Sequence, residues 1–146
     1  MKSRLLNARS QNKTYAIILD LGDDPLQRLQ EFAEIEKLAA SSFTAVGAFS
    51  DAVLGWFDWT RKDYKRIPLD QQVEVLSLLG DITLDNGKRK VHAHVVLGDS
   101  EGRAHGGHLL SAHVRPTLEI FLQESPDELR RAFDPRSRIS LIQPEK

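Results

Sequence analysis

The order of apolar and polar residues near the start of the chain predicts a strand followed by a helix. Residues 15–20 form a short apolar run, which is typical of a buried strand. The sequence Asp23-Asp24-Pro25 comes next and is a strong helix start signal. An aspartate can cap the first turn, and proline has the φ that the first helical position requires and needs no N–H there.

Apolar residues continue at helical spacing over residues 26–40 and predict one long helix in the N-terminal half of the chain. Leu29, Phe32 and Ala33 fall on the side of this helix that we expect to face the core. The helix is predicted to end near residues 41–42.

After this helix the chain becomes rich in β-branched and aromatic residues, and glycine interrupts several stretches. This composition favours strands with tight bends or bulges over helices. Asn86-Gly87 predicts a hairpin, because both central positions of a type I′ turn need a positive φ, and residues 98–102 are predicted as a loop. The segments predicted as strands are residues 43–50, 52–59, 73–80, 81–84, 90–97 and 117–122, and the segment that begins at Leu109.

The C-terminal part of the chain repeats the helix start signal in Ser125-Pro126-Asp127-Glu128, which predicts a short helix through Phe133. The tail beyond it is charged and contains two prolines, so we expect it to be loosely held. No repeat or linker divides the chain, which predicts a single domain over residues 1–146 with a core of about 15–133. The predicted fold class is α+β, a mostly antiparallel β-sheet with one long helix and a short C-terminal helix.

The composition fits one ordinary globular domain. Hydrophobic residues make up 40% of the 146 residues and charged residues 28%, and no apolar run approaches the roughly 20 residues that span a bilayer. The N-terminal residues lack the apolar stretch of a signal peptide, so a cytoplasmic location is predicted. The chain has no cysteine, which excludes a thiolate metal site or a cysteine nucleophile and leaves imidazole, carboxylate or backbone oxygen as metal ligands.

The net charge of −1 argues against a domain that binds nucleic acid by charge alone. The nearest basic feature is the run of residues 61–66, Arg-Lys-Asp-Tyr-Lys-Arg. A solvated strand or turn explains this run as well as a binding patch does. Trp56 and Trp59 are interpreted as core residues, with an exposed pair that stacks on a base or ring as the alternative.

All five histidines lie between residues 92 and 113. His92 and His94 are two residues apart on a predicted strand, so their side chains leave the same face with Cα atoms about 7 Å apart. Two imidazoles at that separation can both bind one ion at about 2.1 Å. His108 follows Gly106-Gly107, and a hairpin would bring it beside the other two, with the glycines allowing a close approach between strands.

These three histidines therefore predict a metal site with one open coordination position. The alternative is that each imidazole is bonded to a backbone carbonyl, in the core or at the seam of a trimer. His105 and His113 are weaker ligand candidates. His105 lies in the predicted loop and is expected to be exposed. His113 lies on the following strand, where it could contact a metal ligand or form part of the polar surface.

Two carboxylates inside apolar strand segments, Glu119 and Glu74, are candidate catalytic residues. An unpaired charge in such a segment would be costly. Either could orient an imidazole or act as a general base, and either could instead lie on the solvent face of its strand.

The sequence also resembles a known family. His92-Ala-His94, an acidic loop containing glycine, and Gly106-Gly107-His108-Leu109-Leu110 are similar to the signature of the PPC domain (plants and prokaryotes conserved), in its stand-alone prokaryotic form. The resemblance runs from about residue 15 to residue 122. Further similar stretches are residues 45–48, 50–51, 74–80 and 117–120, together with Tyr64.

The resemblance implies an α+β fold around an antiparallel sheet, association into a homotrimer, and zinc held by His92, His94 and His108. It also implies DNA binding, which in the plant members accompanies an AT-hook. This chain lacks the Arg-Gly-Arg-Pro core of an AT-hook, which removes the main reason to expect that activity.

Three hypotheses about function follow. The first is a trimeric zinc-binding protein that binds a small ligand or partner near the three histidines. The second is a zinc-dependent hydrolase or lyase that uses the open metal position, with Glu119 or Glu74 as base. The third is a DNA-binding or regulatory protein, for which affinity should fall steeply with salt.

Overall fold

The computed structural model describes residues 1–7 and 12–144, and these form nine strands and one helix. The helix α1 spans Pro25–Glu36. The strands are β1 (Lys2–Asn7), β2 (Lys13–Leu19), β3 (Ala40–Asp58), β4 (Asp63–Leu69), β5 (Val73–Asp85), β6 (Lys88–Gly98), β7 (Ala104–Glu124), β8 (Arg130–Asp134) and β9 (Ile139–Gln143).

Helix α1 begins as predicted and ends earlier than predicted. The Asp24 carboxylate accepts hydrogen bonds from the backbone N–H groups of Leu26 and Gln27, and Pro25 occupies the first turn. The predicted long helix is wrong, because Lys37 takes a left-handed conformation with φ of 57° and closes the helix after 12 residues. The next residues are buried, and β3 begins at Ala40.

The sheet is mixed, and its four longest strands form a closed circuit of pairings. β3 pairs with β5 and β7, and β6 pairs with the same two strands, all antiparallel. β4 joins β3 as a hairpin, and β1 and β2 extend the sheet beside β7. β5 and β8 pair in parallel, so the sheet, expected to be mostly antiparallel, is mixed at this point.

The predicted C-terminal helix is also wrong, because this segment forms strands. β8 pairs with β9 and, at Arg130 and Arg131, with the end of β5. The Arg131 side chain, only 6% exposed, reaches Asp81 and Thr83 of β5. These contacts hold the segment extended and outweigh the local helix signal. The tail that was expected to be loosely held contributes β9, and its last two residues lie outside the described part of the chain.

The core lies inside the circuit of strands, and α1 packs against it. Leu29, Phe32 and Ala33 of the helix are buried, as predicted, and the ring of Phe32 meets that of Tyr15 edge-on at 5.1 Å. Each fully buried large apolar side chain stabilises the fold by about 1.5–3 kcal/mol. The most buried strand residues include Ile17, Phe49, Leu54, Leu78, Ile82, Leu97, Leu109, Leu118 and Ile120.

We call the side of these strands that points away from the core the outer face. Residues paired directly across strands project from the same side of a sheet. One such row on the outer face runs Phe121, Thr44, Leu79, His94 and His108. The strand pairing therefore places two of the three histidines in line with exposed apolar side chains.

Among the described residues, no helix has the length and apolar character needed to cross a bilayer.

Candidate metal centre

The side chains of His92, His94 and His108 come together on the outer face. The first two alternate along β6, and His94 is the direct partner of His108 across the β6–β7 ladder. The ring centroids are 5.1, 5.1 and 5.2 Å apart. One nitrogen from each ring lies within 4.8 Å of the others, which is close enough for all three to bind one ion.

Gly107 allows the strand that carries His108 to lie close to β3. A Cβ atom at this position would come within 2.9 Å of the backbone oxygen of Gly55. No side chain could avoid that contact without a shift of backbone. At Gly106 the nearest backbone atom would lie at 3.4 Å, an ordinary contact distance. The expected close approach is thus confirmed at one of the two glycines.

A carboxylate from β5 orients one of the imidazoles. Asp81 is the ladder partner of His92, and its Oδ2 lies 2.9 Å from His92 Nδ1. An ionised carboxylate can only accept, so Nδ1–H donates and the lone pair is left on Nε2. A carboxylate behind a histidine ligand fixes the tautomer and orientation in this way at many metal sites.

Asp81 is in turn held by Arg131, whose guanidinium lies 2.5 Å from the second carboxylate oxygen. Burial disfavours the charged form of Asp81, but the hydrogen bonds from His92 and Arg131 outweigh that effect and keep its pKa below the ordinary value. Arg131 also donates to the Thr83 hydroxyl and to the Ser140 carbonyl. A chain of contacts thus runs from β8 and β9 through the carboxylate to the imidazole.

The other two imidazoles are neutral at pH 7, which is the form that binds a metal. Burial lowers the pKa of His108 to about 4, with the neighbouring imidazoles acting in the same direction. Burial and the neighbouring His92 also lower the pKa of His94. His108 Nδ1 is buried and has no hydrogen-bond partner among the described residues. A buried nitrogen in that state costs free energy unless another group satisfies it.

An aromatic side chain covers one of these imidazoles. The ring of Tyr64, from β4, lies 4.7 Å from that of His108. A Cβ atom on Gly55 would meet the Tyr64 ring at 2.8 Å, so the absence of a side chain there lets the ring lie close to β3.

A cleft of about 190 Å³ opens beside this imidazole group. It is bounded by the ends of β4, β6 and β7 on one side and by the β8–β9 hairpin on the other. Its lining residues are Tyr64, Lys90, Val91, His92, His108, Arg131, Ile139, Ser140 and Leu141.

The weaker histidine candidates lie outside the group, and each has its own carboxylate partner. His105 Nε2 lies 3.0 Å from Oδ2 of Asp99, and His113 Nδ1 lies 2.9 Å from Oδ1 of Asp51. The structure therefore brings together the three histidines named first and separates the other two from them.

The predicted carboxylates differ from the one that contacts the site. Glu74 and Glu119 are exposed, and among the described contacts neither is bonded to any of the three imidazoles. Sequence reasoning missed Asp81. The contact between Asp81 and His92 could have been predicted from the Asn86-Gly87 turn, because counting outward from that turn along both strands pairs these two residues.

The basic run lies at the tip of the β3–β4 hairpin. The side chains of Arg61, Lys65 and Arg66 are exposed, and no described ion pair occupies them. The interpretation of the tryptophans as core residues is wrong, since Trp56 and Trp59 are 58% and 59% exposed. The hairpin extends beyond the core, so its aromatic residues pack on each other and on Lys62, whose Nζ lies 3.2 Å from the Trp59 ring.

The family model of the Plants and Prokaryotes Conserved (PCC) domain, which is the PPC domain, matches residues 6–126 of this chain. The chain belongs to this family. The resemblance stated from the sequence is therefore confirmed.

Solved structures of PPC proteins and their relatives have the same fold. A PPC protein from Pyrococcus horikoshii is 33% identical with a TM-score of 0.84, covering 91% of this chain and 92% of its own. A metal-containing protein from Archaeoglobus fulgidus is 34% identical with a TM-score of 0.82, covering 89% and 92%. A protein from Ralstonia eutropha JMP134, described as a "putative DNA-binding protein", is 32% identical with a TM-score of 0.83, covering 88% and 90%.

The chain also matches curated proteins over a small part of their length. It is 36% identical over 115 residues to the bifunctional protein GlmU of Synechococcus sp. strain JA-3-3Ab. That match covers 77% of this chain and 17% of the curated protein. The chain therefore spans about a sixth of the length of this relative.

Proposed function

We propose that this PPC-domain protein is a zinc-binding protein whose ion is held by His92, His94 and His108. The observation that carries the proposal is the convergence of three imidazole nitrogens within 4.8 Å on one face of the sheet. The ion would join the middle of β6 to the start of β7.

Three further observations support a metal at this point. Asp81 holds His92 in the tautomer with Nε2 free. The lowered pKa values of His94 and His108 keep both neutral at pH 7, and His108 Nδ1 is buried without a partner. The metal-containing relative from Archaeoglobus fulgidus, which is 34% identical, is consistent with the same use of the fold.

The donor set favours zinc. Neutral imidazoles suit zinc, copper, iron and nickel, and a hard cation such as magnesium prefers oxygen ligands. Zinc takes three protein ligands and one further ligand in sites that are open to small molecules. With only three histidines in the group, one position of a four-coordinate ion would be left for such a ligand.

The experiment that tests the zinc proposal is metal analysis of the purified protein after expression with zinc, copper, iron and nickel all supplied. We expect about one zinc per chain in the wild type and in His113→Ala, the matched control from outside the group. We expect less than a tenth of that content in His92→Ala and His108→Ala. A metal-free wild type, or equal metal in all four proteins, would contradict the proposal.

We further propose that the protein assembles as a homotrimer through the outer face. Val46, Leu79 and Phe121 each expose 56% of their surface there. Contiguous exposed apolar side chains of this kind mark association surfaces. Light scattering on the eluting protein should give about three times the 16.5 kDa chain mass.

The substitution Phe121→Asp should convert this assembly to a monomer, because a carboxylate would be buried without a partner. Ile35→Asp is the control, since Ile35 is 73% exposed on α1, away from the outer face. A monomeric wild type, or a trimer that survives Phe121→Asp, would contradict the proposed interface.

A second candidate function is DNA binding, favoured by the exposed arginine and lysine side chains of the β3–β4 hairpin and by the name of the Ralstonia relative. If it is correct, affinity for duplex DNA should fall by about 10-fold or more between 50 and 200 mM salt. Replacing Arg61, Lys65 and Arg66 together by alanine should reduce that dependence. Binding that is insensitive to salt, or unchanged in this variant, would contradict it.

A further inference from the structure

We infer that the cleft beside the three histidines is a binding site for a small carboxylate with a short apolar tail. The inference rests on the proposed metal centre, because it assigns the chemistry of the ligand that this centre takes. It assigns roles to Lys90 and Leu141, which line the cleft and have no role in the proposed metal centre.

The charge of the cleft favours an anion. The charged side chains that line it are Lys90 and Arg131, and no carboxylate is among its lining residues. The guanidinium of Arg131 is already engaged by Asp81 and its neighbours, so its charge is largely balanced. A divalent cation on neutral imidazoles would add two positive charges at the mouth of the cleft, which makes the ion the largest local charge.

Lys90 is the group best placed to receive the anion. Its side chain is 48% exposed and lies at the edge of the cleft, two residues before His92 on the same strand face. Its ammonium has one described ion-pair partner, Asp85 at 3.2 Å, and the same carboxylate is also hydrogen-bonded to Ser140 in the cleft wall. An ammonium carries three donors, so donors remain for a ligand carboxylate.

The rest of the wall is apolar, which selects for a hydrocarbon tail over a fully polar anion. Ile139 and Leu141 bring aliphatic residues to the wall, and Tyr64 brings an aromatic one. The cleft volume of about 190 Å³ is below the roughly 300–1,000 Å³ of pockets that hold drug-sized ligands. A short carboxylate such as butyrate suits a cleft of that size.

Inorganic phosphate is an anion without an apolar tail, so its binding shows how much affinity comes from charge alone. It would satisfy Lys90 and the ion, but it has no tail to cover Ile139 and Leu141. The assignment therefore requires butyrate to bind more tightly than both phosphate and acetate. With about 0.8 kcal/mol for each buried methylene, the two extra methylenes of butyrate should improve affinity over acetate by about tenfold.

The test uses the full chain loaded with cobalt(II), whose visible absorption changes when a ligand binds to the ion. We expect butyrate to alter the spectrum at saturating levels, with about tenfold tighter binding than acetate or phosphate. Lys90→Gln should weaken butyrate by about tenfold without changing cobalt uptake. Lys88→Gln, from the exposed start of β6, is the matched control and should bind butyrate like the wild type. Leu141→Ala should reduce the preference for butyrate over acetate.

The two proposals fail in different ways. Absence of cobalt uptake contradicts the metal centre and the ligand site together. Cobalt uptake with a spectrum that butyrate leaves unchanged contradicts the ligand site alone. Tighter binding of phosphate than of butyrate, or equal butyrate affinity in Lys90→Gln and the wild type, also overturns the assignment of a carboxylate with an apolar tail.

Discussion

Asp81 accepts a hydrogen bond from His92 across the β5–β6 ladder, with 2.9 Å between Oδ2 and Nδ1. Because Nδ1 faces the carboxylate, it carries the proton, and Nε2 is the His92 nitrogen with a lone pair available to a metal. It also couples the imidazole to Arg131, which holds the other oxygen of the same carboxylate. The proposed ligand set is therefore supported by residues from strands far apart in the sequence.

Asp81→Asn should weaken zinc binding by about 10- to 100-fold, the range expected when the partner of a histidine ligand is removed. The amide cannot both accept from His92 and neutralise Arg131 as the carboxylate does. The measurement is competition for zinc with a chromophoric chelator. Glu74→Gln is the control on the same strand and should bind like the wild type. If Glu74→Gln loses affinity and Asp81→Asn does not, the assigned carboxylate is the wrong one.

Arg131→Met should lower the free energy of unfolding by about 2–3 kcal/mol, because it leaves the partly buried Asp81 carboxylate without its cation. Denaturant unfolding of the metal-free protein measures this loss. In the Asp81→Asn background the same substitution should cost less, since the charge that needs a partner is gone. Additive effects of the two substitutions would show that the ion pair does not couple β8 to the site.

Gly107→Ala should destabilise the fold by about 1–3 kcal/mol, because the added methyl group would meet the Gly55 backbone oxygen at 2.9 Å. The shift needed to relieve that contact moves the strand that carries His108, so zinc affinity should also fall. Gly106→Ala is the neighbouring control, where the nearest atom lies at 3.4 Å. Equal losses in the two variants would mean that the close approach of β7 to β3 is not what requires glycine.

Asp99 should make stability depend on pH in the acid range. Hydrogen bonds from His105 and Arg103 hold the pKa of this carboxyl far below its ordinary value, and its side chain is only 1% exposed. A depressed folded pKa adds stability above the unfolded pKa of about 3.9, and this stability is lost as the pH falls below that value.

Asp99→Asn should therefore be less stable than the wild type at pH 7, and the difference should shrink as the pH is lowered through 4. Denaturant unfolding at several pH values between 2.5 and 7 measures it. The exposed Asp70→Asn serves as control and should track the wild type throughout. A difference between wild type and Asp99→Asn that is constant over this range would contradict the assignment.

The site was largely predictable because its geometry is local. Alternation along β6 fixes the shared face of His92 and His94, and Gly107 allows the approach that returns His108 to them. The Asn86-Gly87 turn also determines the register that pairs Asp81 with His92. This information was present in the sequence, although the carboxylates selected from it were Glu74 and Glu119.

The remaining differences come from contacts that sequence periodicity does not contain. Lys37 ends α1 in a left-handed conformation without a glycine to signal it, and the following apolar residues are buried by strands instead of a helix. The helix-capping signal at residues 125–128 does not produce a helix, because Arg131 is hydrogen-bonded to Asp81 and Thr83, about 50 positions earlier, and this holds the segment extended. Long-range pairing decides such segments, and local propensity is a weak guide there.

The most direct test of the central claim is a crystal structure of the zinc-loaded protein with anomalous data collected on both sides of the zinc absorption edge. Zinc held by His92, His94 and His108 should give one anomalous peak per chain, bounded by these three side chains, that disappears below the edge. A peak at His105 and Asp99 or at His113 and Asp51, or no peak between the three imidazoles, would contradict it.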